Sequence, residues 1–305
     1  MARIFIVTVL IIFINSCAEN KNIFTSGNSI QLGTESTLDV ITWNIENFPK
    51  QNDITIDYLV KLINSMNVDI IALQEIENSS YFRNLVDSLD GWSGYRSPYN
   101  NGWNLAYIYK NSSIEKLNIY EIYTSESRPF PRPPLVIEFE YKSIFFTLIN
   151  NHLKCCGDGD IDEDNYWDEE HRRRDANVML DDYISTHFAN VNLILVGDLN
   201  DNLNDPDNSN IFLNFIQNSD NYQFIDMNIA LGSSNNWSWP GINSSYSASH
   251  FDHILITNEL FDEFENEGSL VQTIRLEEYF DGGWSDYEKY ISDHRPVGLS
   301  LKFNP

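Results

Sequence analysis

Residues Ile291-Ser292-Asp293-His294-Arg295-Pro296-Val297 open the last apolar run of the chain, Val297 to Leu301. An acid and a histidine stand side by side at the mouth of a strand, where a carboxylate can orient an imidazole and raise its basicity. An Asp-His pair alone decides little, but the same grammar recurs along the chain. Apolar runs end in polar residues at Val40-Ile41-Thr42-Trp43-Asn44, at Ile70-Ile71-Ala72-Leu73-Gln74-Glu75 and at Phe145-Phe146-Thr147-Leu148-Ile149-Asn150-Asn151-His152. They do so again at Leu193-Ile194-Leu195-Val196-Gly197-Asp198-Leu199-Asn200. In Phe251-Asp252-His253-Ile254-Leu255-Ile256 the acid precedes the run. Continuous apolar runs predict strands buried on both faces. Any one cluster also reads as a turn or helix cap. Polar groups gathered at the ends of so many strands instead predict a site at one edge of a sheet.

Between these runs the pattern alternates. Asp53 to Met66 carries Ile56, Leu59, Val60 and Ile63 at helical spacing, with Asp53 as its cap, and Tyr81 to Leu89 predicts a second helix. Leu105–Tyr109, Lys116–Tyr123, Leu135–Tyr141 and Ser143–Asn150 predict strands, the last two joined as a hairpin. Arg172 to Phe188 predicts a helix that turns Val178, Leu180, Tyr183 and Ile184 to a core, and Ile211 to Gln217 another. Hairpins mixed with helical crossovers predict an α/β protein of mixed sheets covered by helices.

The six quoted motifs resemble the endonuclease/exonuclease/phosphatase superfamily of metal-dependent phosphoesterases. They are Thr42-Trp43-Asn44-Ile45-Glu46-Asn47, Leu73-Gln74-Glu75-Ile76, Asn151-His152-Leu153, Gly197-Asp198-Leu199-Asn200, Asp252-His253-Ile254 and Ser292-Asp293-His294-Arg295-Pro296. They come in the family's order and span almost everything after residue 37. The resemblance implies two mixed β-sheets packed as a sandwich with helices on the outer faces, a four-layer α/β/β/α fold. It implies Glu75 as principal ligand of Mg²⁺ (Mn²⁺ being the alternative), with Asn44 and Asp293 in support. It implies His294 at the scissile phosphate, Asp252 orienting it, Asp198 beside it, Asn200 donating to a phosphate oxygen and His152 protonating the leaving oxygen. Which of Asp198 and His294 is the base stays open. Glu46 faces the way Asn44 does if the strand stays extended, and otherwise lies in a solvated loop.

Arg132, in Pro131-Arg132-Pro133-Pro134, matches an Arg-x-Pro segment of the family and is expected at a phosphate, with Arg128 as competitor. Deoxyribonucleases of the pancreatic type carry a Glu that pairs with the leaving-group His. The corresponding stretch here, Gly102 to Tyr107, has none, and Asn104 is the residue expected to stand in. A further departure is the insert Asp158-Gly159-Asp160-Ile161-Asp162-Glu163-Asp164, followed by Glu169. Acids at alternate positions with Glu at the twelfth resemble a calcium loop, although Glu163 stands where that loop needs Gly. An acidic solvated loop is the favoured reading; a structural Ca²⁺ on Asp158, Asp160, Asp162 and Glu169 is the alternative. Arg172-Arg173-Arg174, the only dense basic run, lies near this acidic insert and is expected to pair internally rather than bind DNA.

The chain has 305 residues, enough for one large domain, and a formal charge of −26. Such acidity disfavours tight, processive nucleic-acid binding, which rests on Lys and Arg, but bound cations can reverse the field locally. Arg3, the apolar run Ile4 to Ile14 and Asn15-Ser16-Cys17 describe an export signal that resembles a bacterial lipoprotein box, with Cys17 lipidated. The expected organisation is a signal segment over 1–17, a polar tether over 18–36 and a catalytic domain over 37–305. The expected partners are a nucleic acid or other phosphoester, and a membrane reached through the lipid anchor. The protein is expected as a monomer at the bacterial cell envelope, or secreted. Cys155 and Cys156 either form a vicinal disulfide or remain thiols. The function expected is that of a surface-anchored or secreted endonuclease. A phosphodiesterase or phosphatase for lipid headgroups or small phosphoesters, and a silent phospho-ligand or partner-binding module, are the rivals.

Overall fold

The computed structural model describes residues 30, 32–99, 102–241 and 247–304. The expected signal segment, Cys17 and most of the tether lie outside these. Among the described residues no helix is long and apolar enough to cross a membrane.

Among the described residues twelve strands form two six-stranded sheets. They are β1 (Thr37–Phe48), β2 (Ile70–Ile76), β3 (Trp92–Arg96), β4 (Asn104–Lys110), β5 (Ile114–Glu121), β6 (Leu135–Tyr141), β7 (Ile144–His152), β8 (Leu193–Asp198), β9 (Tyr222–Phe224), β10 (Asp252–Thr257), β11 (Leu270–Thr273) and β12 (Val297–Lys302). One sheet runs β11-β12-β1-β2-β4-β3 and the other β5-β6-β7-β8-β10-β9. Each is mixed: β1–β2 and β7–β8 are parallel, and the remaining pairs antiparallel. The outer faces are covered by α1 (Asp53–Met66), α2 (Ser79–Asp87), α3 (Glu169–His187), the short α4 (Leu213–Ile216) and α5 (Met227–Ala230), and α7 (Trp284–Tyr290), while α6 (Phe261–Glu265) packs Phe261 and Phe264 against the core between the sheets. The four-layer sandwich implied by the resemblance is the fold.

Strand parity builds this layering. Side chains alternate along a strand, so one apolar run supplies two cores. In β1, Leu38 and Val40 enter the core between the sheets, whereas Ile41, Trp43 and Ile45 enter an outer core with Leu59, Leu62 and Ile63 of α1. In β8, Ile194 and Val196 face the seam, and Leu193 and Leu195 face Leu180 and Ile184 of α3. Gly197 sits where a Cβ would come within 2.0 Å of the Asn151 carbonyl oxygen, at φ 149, so the parallel β7–β8 contact requires glycine at this point.

Several local expectations change. Val178 is exposed, because the buried stripe of α3 runs through Arg173, Ala176, Asn177, Leu180 and Ile184 and passes it by. Asp53 does not cap α1; Thr55 Oγ1 instead accepts from the Gln51 amide at 2.9 Å. The packed chain also begins ahead of residue 37. Ile30 and Leu32 are buried in the outer core, and the Leu32 amide donates to the Met66 carbonyl, so the end of the expected tether belongs to the domain.

Candidate active site

The inward parity of five strands does not stop where the apolar residues stop. It carries Thr42 and Asn44 on β1, Gln74 on β2, Asn150 and His152 on β7, Asp198 on β8 and Asp252 on β10 to one end of the seam. A buried amide layer separates this end from the oily core. Gln74 Nε2 donates to Thr42 Oγ1 at 3.1 Å and to Asn150 Oδ1 at 2.7 Å, and Asn150 Nδ2 donates to the Leu73 and Ala106 carbonyls. These amides tie the two sheets together beneath the site, although Gln74 Oε1 is left without a partner among the described residues. Sequence reasoning missed Gln74 and Asn150 as site supports, although each interrupts an apolar run at the inward parity.

Above that layer the groups converge. Asn44 Nδ2 donates to Glu75 Oε1 at 3.1 Å and to Asp198 Oδ2 at 2.9 Å. Its Oδ1 accepts from the Glu46 amide at 2.9 Å. Glu46 Oε2 accepts from the Asp293 amide at 2.9 Å and is paired with Lys50. A continuous chain of contacts thus runs Glu75–Asn44–Glu46–Asp293. Glu46 does face the site, through a left-handed turn (φ 29 at Glu46, 49 at Asn47) rather than an extended strand. The Asn47 amide donates to Glu75 Oε2 at 2.9 Å.

His294 Nδ1 lies 2.7 Å from Asp252 Oδ2, and its Nε2 lies 3.9 Å from both Asp198 Oδ2 and Asp293 Oδ1. A carboxylate only accepts, so Nδ1 donates and Nε2 faces the cleft. The ring is held from behind: the Tyr287 hydroxyl donates to the His294 carbonyl, and the His294 amide donates to Ser292 Oγ, which donates to the Asn44 carbonyl. Burial works against charge on this imidazole, but Asp252, Asp198 and Asp293 outweigh it and hold its pKa well above the ordinary range. Burial pushes the Asp198 carboxyl up to about 7, with Asp252 and Glu75 adding to the effect and His294 and the Asn44 amide opposing it.

His152 Nε2 lies 3.5 Å from Asp198 Oδ2 and 3.9 Å from Glu75 Oε1. Burial, then Arg132 and His294, keep its pKa well below the usual value, so the ring rests neutral. Its Nδ1 has no hydrogen-bond partner. Asn104 makes no hydrogen bond to His152: its amide nitrogen donates to the Ser97 and Tyr99 carbonyls, and its Oδ1, like His152 Nδ1, has no partner among the described residues. Arg132 is buried, donates from one terminal nitrogen to the Leu153 carbonyl at 2.7 Å and sits within electrostatic reach of Asp198 and Glu75. Asn200 Nδ2 donates to the same carbonyl at 3.3 Å. Arg128 does not compete: it donates to the Tyr166 carbonyl, lies over the Tyr166 ring and pairs with Asp175.

The calcium set expected in the insert does not converge. Glu169 pairs with Lys154 at 3.6 Å, Glu163 turns outward to Arg174, and Asp158 and Asp162 accept from the amides of Asp160 and Asp164 within their own turns. The acids that do approach one another are Asp158, Asp168 and Glu170, and Arg173 pairs with Glu170 at 3.1 Å. Of the three arginines near the start of α3, Arg174 pairs with Glu163 of the insert, Arg173 with Asp201 and Glu170, and Arg172 donates to the Arg128 carbonyl.

A second polar cluster lies on the opposite face of β10. Asp226 Oδ2 is 3.0 Å from His250 Nε2 and 2.6 Å from His253 Nδ1, and Asp226 Oδ1 accepts from the Ile254 amide. The remaining ring nitrogens are used as well. The Ser238 amide donates to His250 Nδ1, and His253 Nε2 faces the Asp201 carbonyl. His253 donates from both nitrogens and is therefore the cation of a buried ion pair. Burial opposes that charge, but Asp226 wins and raises its pKa. The cluster braces Asp252 and the loop after Asp198 from behind.

A family model described as "Endonuclease/Exonuclease/phosphatase family" matches residues 41–294. The chain belongs to this family. Solved structures agree on the fold. Similar to it are D. rerio TDP2 complexed with single-strand DNA product (14% identity, 88% of this chain and 100% of that one, TM-score 0.64) and the human Nocturnin catalytic domain with bound sulfate (15%, 90% and 97%, TM-score 0.62). An endonuclease/exonuclease/phosphatase protein from Bacteroides vulgatus is also similar (14%, 88% and 100%, TM-score 0.60). No curated protein matches the chain in sequence. The family fixes the general chemistry as hydrolysis of phosphoester bonds supported by a divalent metal.

Proposed function

We propose that this phosphoesterase is an endonuclease, exported and anchored at the cell envelope through Cys17. The observation that supports it most is the meeting of Asn44, Glu75, Asp198, Asp252, Asp293, His152 and His294 at one end of the seam, with Arg132 behind them. Glu75 and Asp293 offer carboxylate oxygens, the hard donors that suit Mg²⁺, with Mn²⁺ as substitute, while Asn44 links them with Nδ2 on Glu75 and Oδ1 on the Glu46 amide. Glu75 and Asp293 keep part of their side chains open to the cleft, at 17% and 23% exposure, as ligands to an exchangeable ion need to be. When bound there, the ion neutralises phosphate charge.

The protein groups divide the remaining work. Asp198, with its carboxyl raised to about 7, is placed to take a proton from water near neutral pH. His294, held cationic by Asp252, donates from Nε2 to the phosphate oxygens as charge builds on them. Asn200 carries an amide hydrogen beyond the one given to Leu153, and Arg132 adds positive charge from behind. A bound phosphodiester brings negative charge beside His152 and raises its proton affinity, so that the ring can protonate the leaving oxygen. Single-strand DNA at the TDP2 relative supports a nucleic-acid substrate here. The net charge of −26 supports few cationic contacts and a shallow salt dependence. The export signal, Arg3 to Cys17, supports the location. Supercoiled plasmid and sphingomyelin are compared at equal enzyme and Mg²⁺. Nicking without lipid turnover is expected; lipid turnover without nicking reverses the substrate, and neither leaves the binding-module reading.

A further inference from the structure

Cys155 and Cys156 follow His152 by three and four positions and are free thiols. Their Sγ atoms lie 3.0 Å apart, about 1 Å beyond a disulfide bond. Cys156 is exposed and sits at a left-handed bend, φ 73, which turns its thiol to solvent next to its neighbour's. The flanking backbone is pinned. A single Arg173 terminal nitrogen binds the Lys154 and Cys156 carbonyls, each at 2.7 Å, while Arg173 Nε binds Asp201 at 3.0 Å. One residue earlier, the Leu153 carbonyl is the anchor of Arg132 and Asn200. The two thiols are therefore held together by bonds that also hold the phosphate-facing side of the cleft.

We propose that Cys155–Cys156 is a thiol–disulfide exchange site that reports on the redox state around the protein and lowers hydrolysis when oxidised. The Cys156 thiolate attacks a low-molecular-weight disulfide, forms a mixed disulfide and releases one small thiolate. The Cys155 thiolate then attacks the Cys156 sulfur; the vicinal S–S bond forms, the mixed S–S bond breaks, and the second small thiolate leaves. Two protein thiols are oxidised, one small disulfide is reduced to two thiols, and the two protons pass to the departing thiolates. Closing the sulfurs to bonding distance twists the peptide between them. Its carbonyl, Cys155 O, accepts from Lys154 Nζ, and the carbonyls on either side, of Lys154 and Cys156, lie in the grip of Arg173, so the twist reaches Asp201, Leu153, Arg132 and Asn200. A strained, exposed disulfide is also the kind that small thiols reopen.

The test uses the full chain treated with oxidised glutathione, alkylated and digested with trypsin without reduction. The peptide from Cys155 to Arg172 carries both sulfurs. It is expected two hydrogens lighter, without alkyl groups, and to revert on dithiothreitol treatment. Two alkylated thiols, two glutathione adducts, or a link to another chain or to the peptide bearing Cys17 overturn the proposal. Cys155→Ser is expected to stop at one glutathione adduct on Cys156; a clean, unmodified Cys156 contradicts the order of attack. The activity arm rests on the phosphoesterase reading, whereas the mass arm does not. Oxidation is expected to lower kcat/KM severalfold in the wild type and to leave the Cys155→Ser/Cys156→Ser double variant unchanged. A disulfide that forms without changing wild-type turnover refutes the coupling to the site. Absence of turnover in every form refutes the phosphoesterase reading and leaves the mass result standing.

Discussion

Asp252→Asn separates charge from shape at the centre of the site. Asp252 is fully buried, its Oδ2 lies 2.7 Å from His294 Nδ1, and its backbone amide donates to Ser238 Oγ at 3.2 Å. Asparagine keeps the volume, the backbone bond and an acceptor for Nδ1–H. It removes the carboxylate charge, the largest influence favouring the imidazolium. With charge centres about 4 Å apart and an effective dielectric constant of about 20, that charge is worth at most about 4 kcal/mol. The ceiling on the loss is thus about 10³-fold in kcat/KM, at about 1.4 kcal/mol per decade. Asp198 and Asp293 remain near the ring, so a fall of about 10²- to 10³-fold is expected, within the range of acid–base contributions. The assay is hydrolysis of bis-nitrophenyl phosphate under saturating Mg²⁺, with urea unfolding to confirm an unchanged fold. Activity within about fivefold of wild type would show that Asp252 only fills space and that the charged-imidazole mechanism is wrong.

His152→Ala should be severe with an alkoxide leaving group and milder with nitrophenol, which departs without a proton; equal losses on both substrates would refute the leaving-group role. Asp226→Asn leaves the His253 cation without its counter-ion and sets an amide donor against a ring or backbone N–H, and should cost about 3–5 kcal/mol in urea unfolding at pH 6. The sign with pH follows from both partners. The depressed Asp226 value gives stability that is complete above the ordinary aspartate pKa and is lost as pH falls through the folded value. The raised His253 value gives stability that is complete below the ordinary histidine pKa and is lost as pH rises through the folded value. The gap between wild type and variant should therefore be widest between about pH 4 and 6.5 and narrow on either side; a pH-independent gap would exclude an ion pair.

Much of the site was legible because apolar runs place their own ends: once a strand is buried, the polar residue that ends it must lie at the seam's mouth. Asn44, Asp198 and Asp252 follow from that rule. Glu75 departs from strand geometry, with φ 62, and reaches the cleft through the Asn47 amide and the Asn44 side chain, a bend that periodicity does not carry. The Gln74–Asn150 layer and the Asp226–His250–His253 brace depend on pairings between strands and loops far apart in sequence, so local pattern could not supply them. Charge neutralisation within the insert decided the calcium loop. Lys154 and Arg174, outside the loop's spacing pattern, draw away Glu169 and Glu163.

The most direct test of metal-supported hydrolysis at this seam is turnover of Glu75→Gln against wild type across a Mg²⁺ titration, with EDTA as the zero point. Wild type should be silent in EDTA and recover with Mg²⁺, while the variant, folded to the same urea midpoint, stays near background at every concentration. Equal turnover by the two proteins at saturating Mg²⁺, or wild-type turnover that EDTA leaves intact, would contradict the assignment of the catalytic centre.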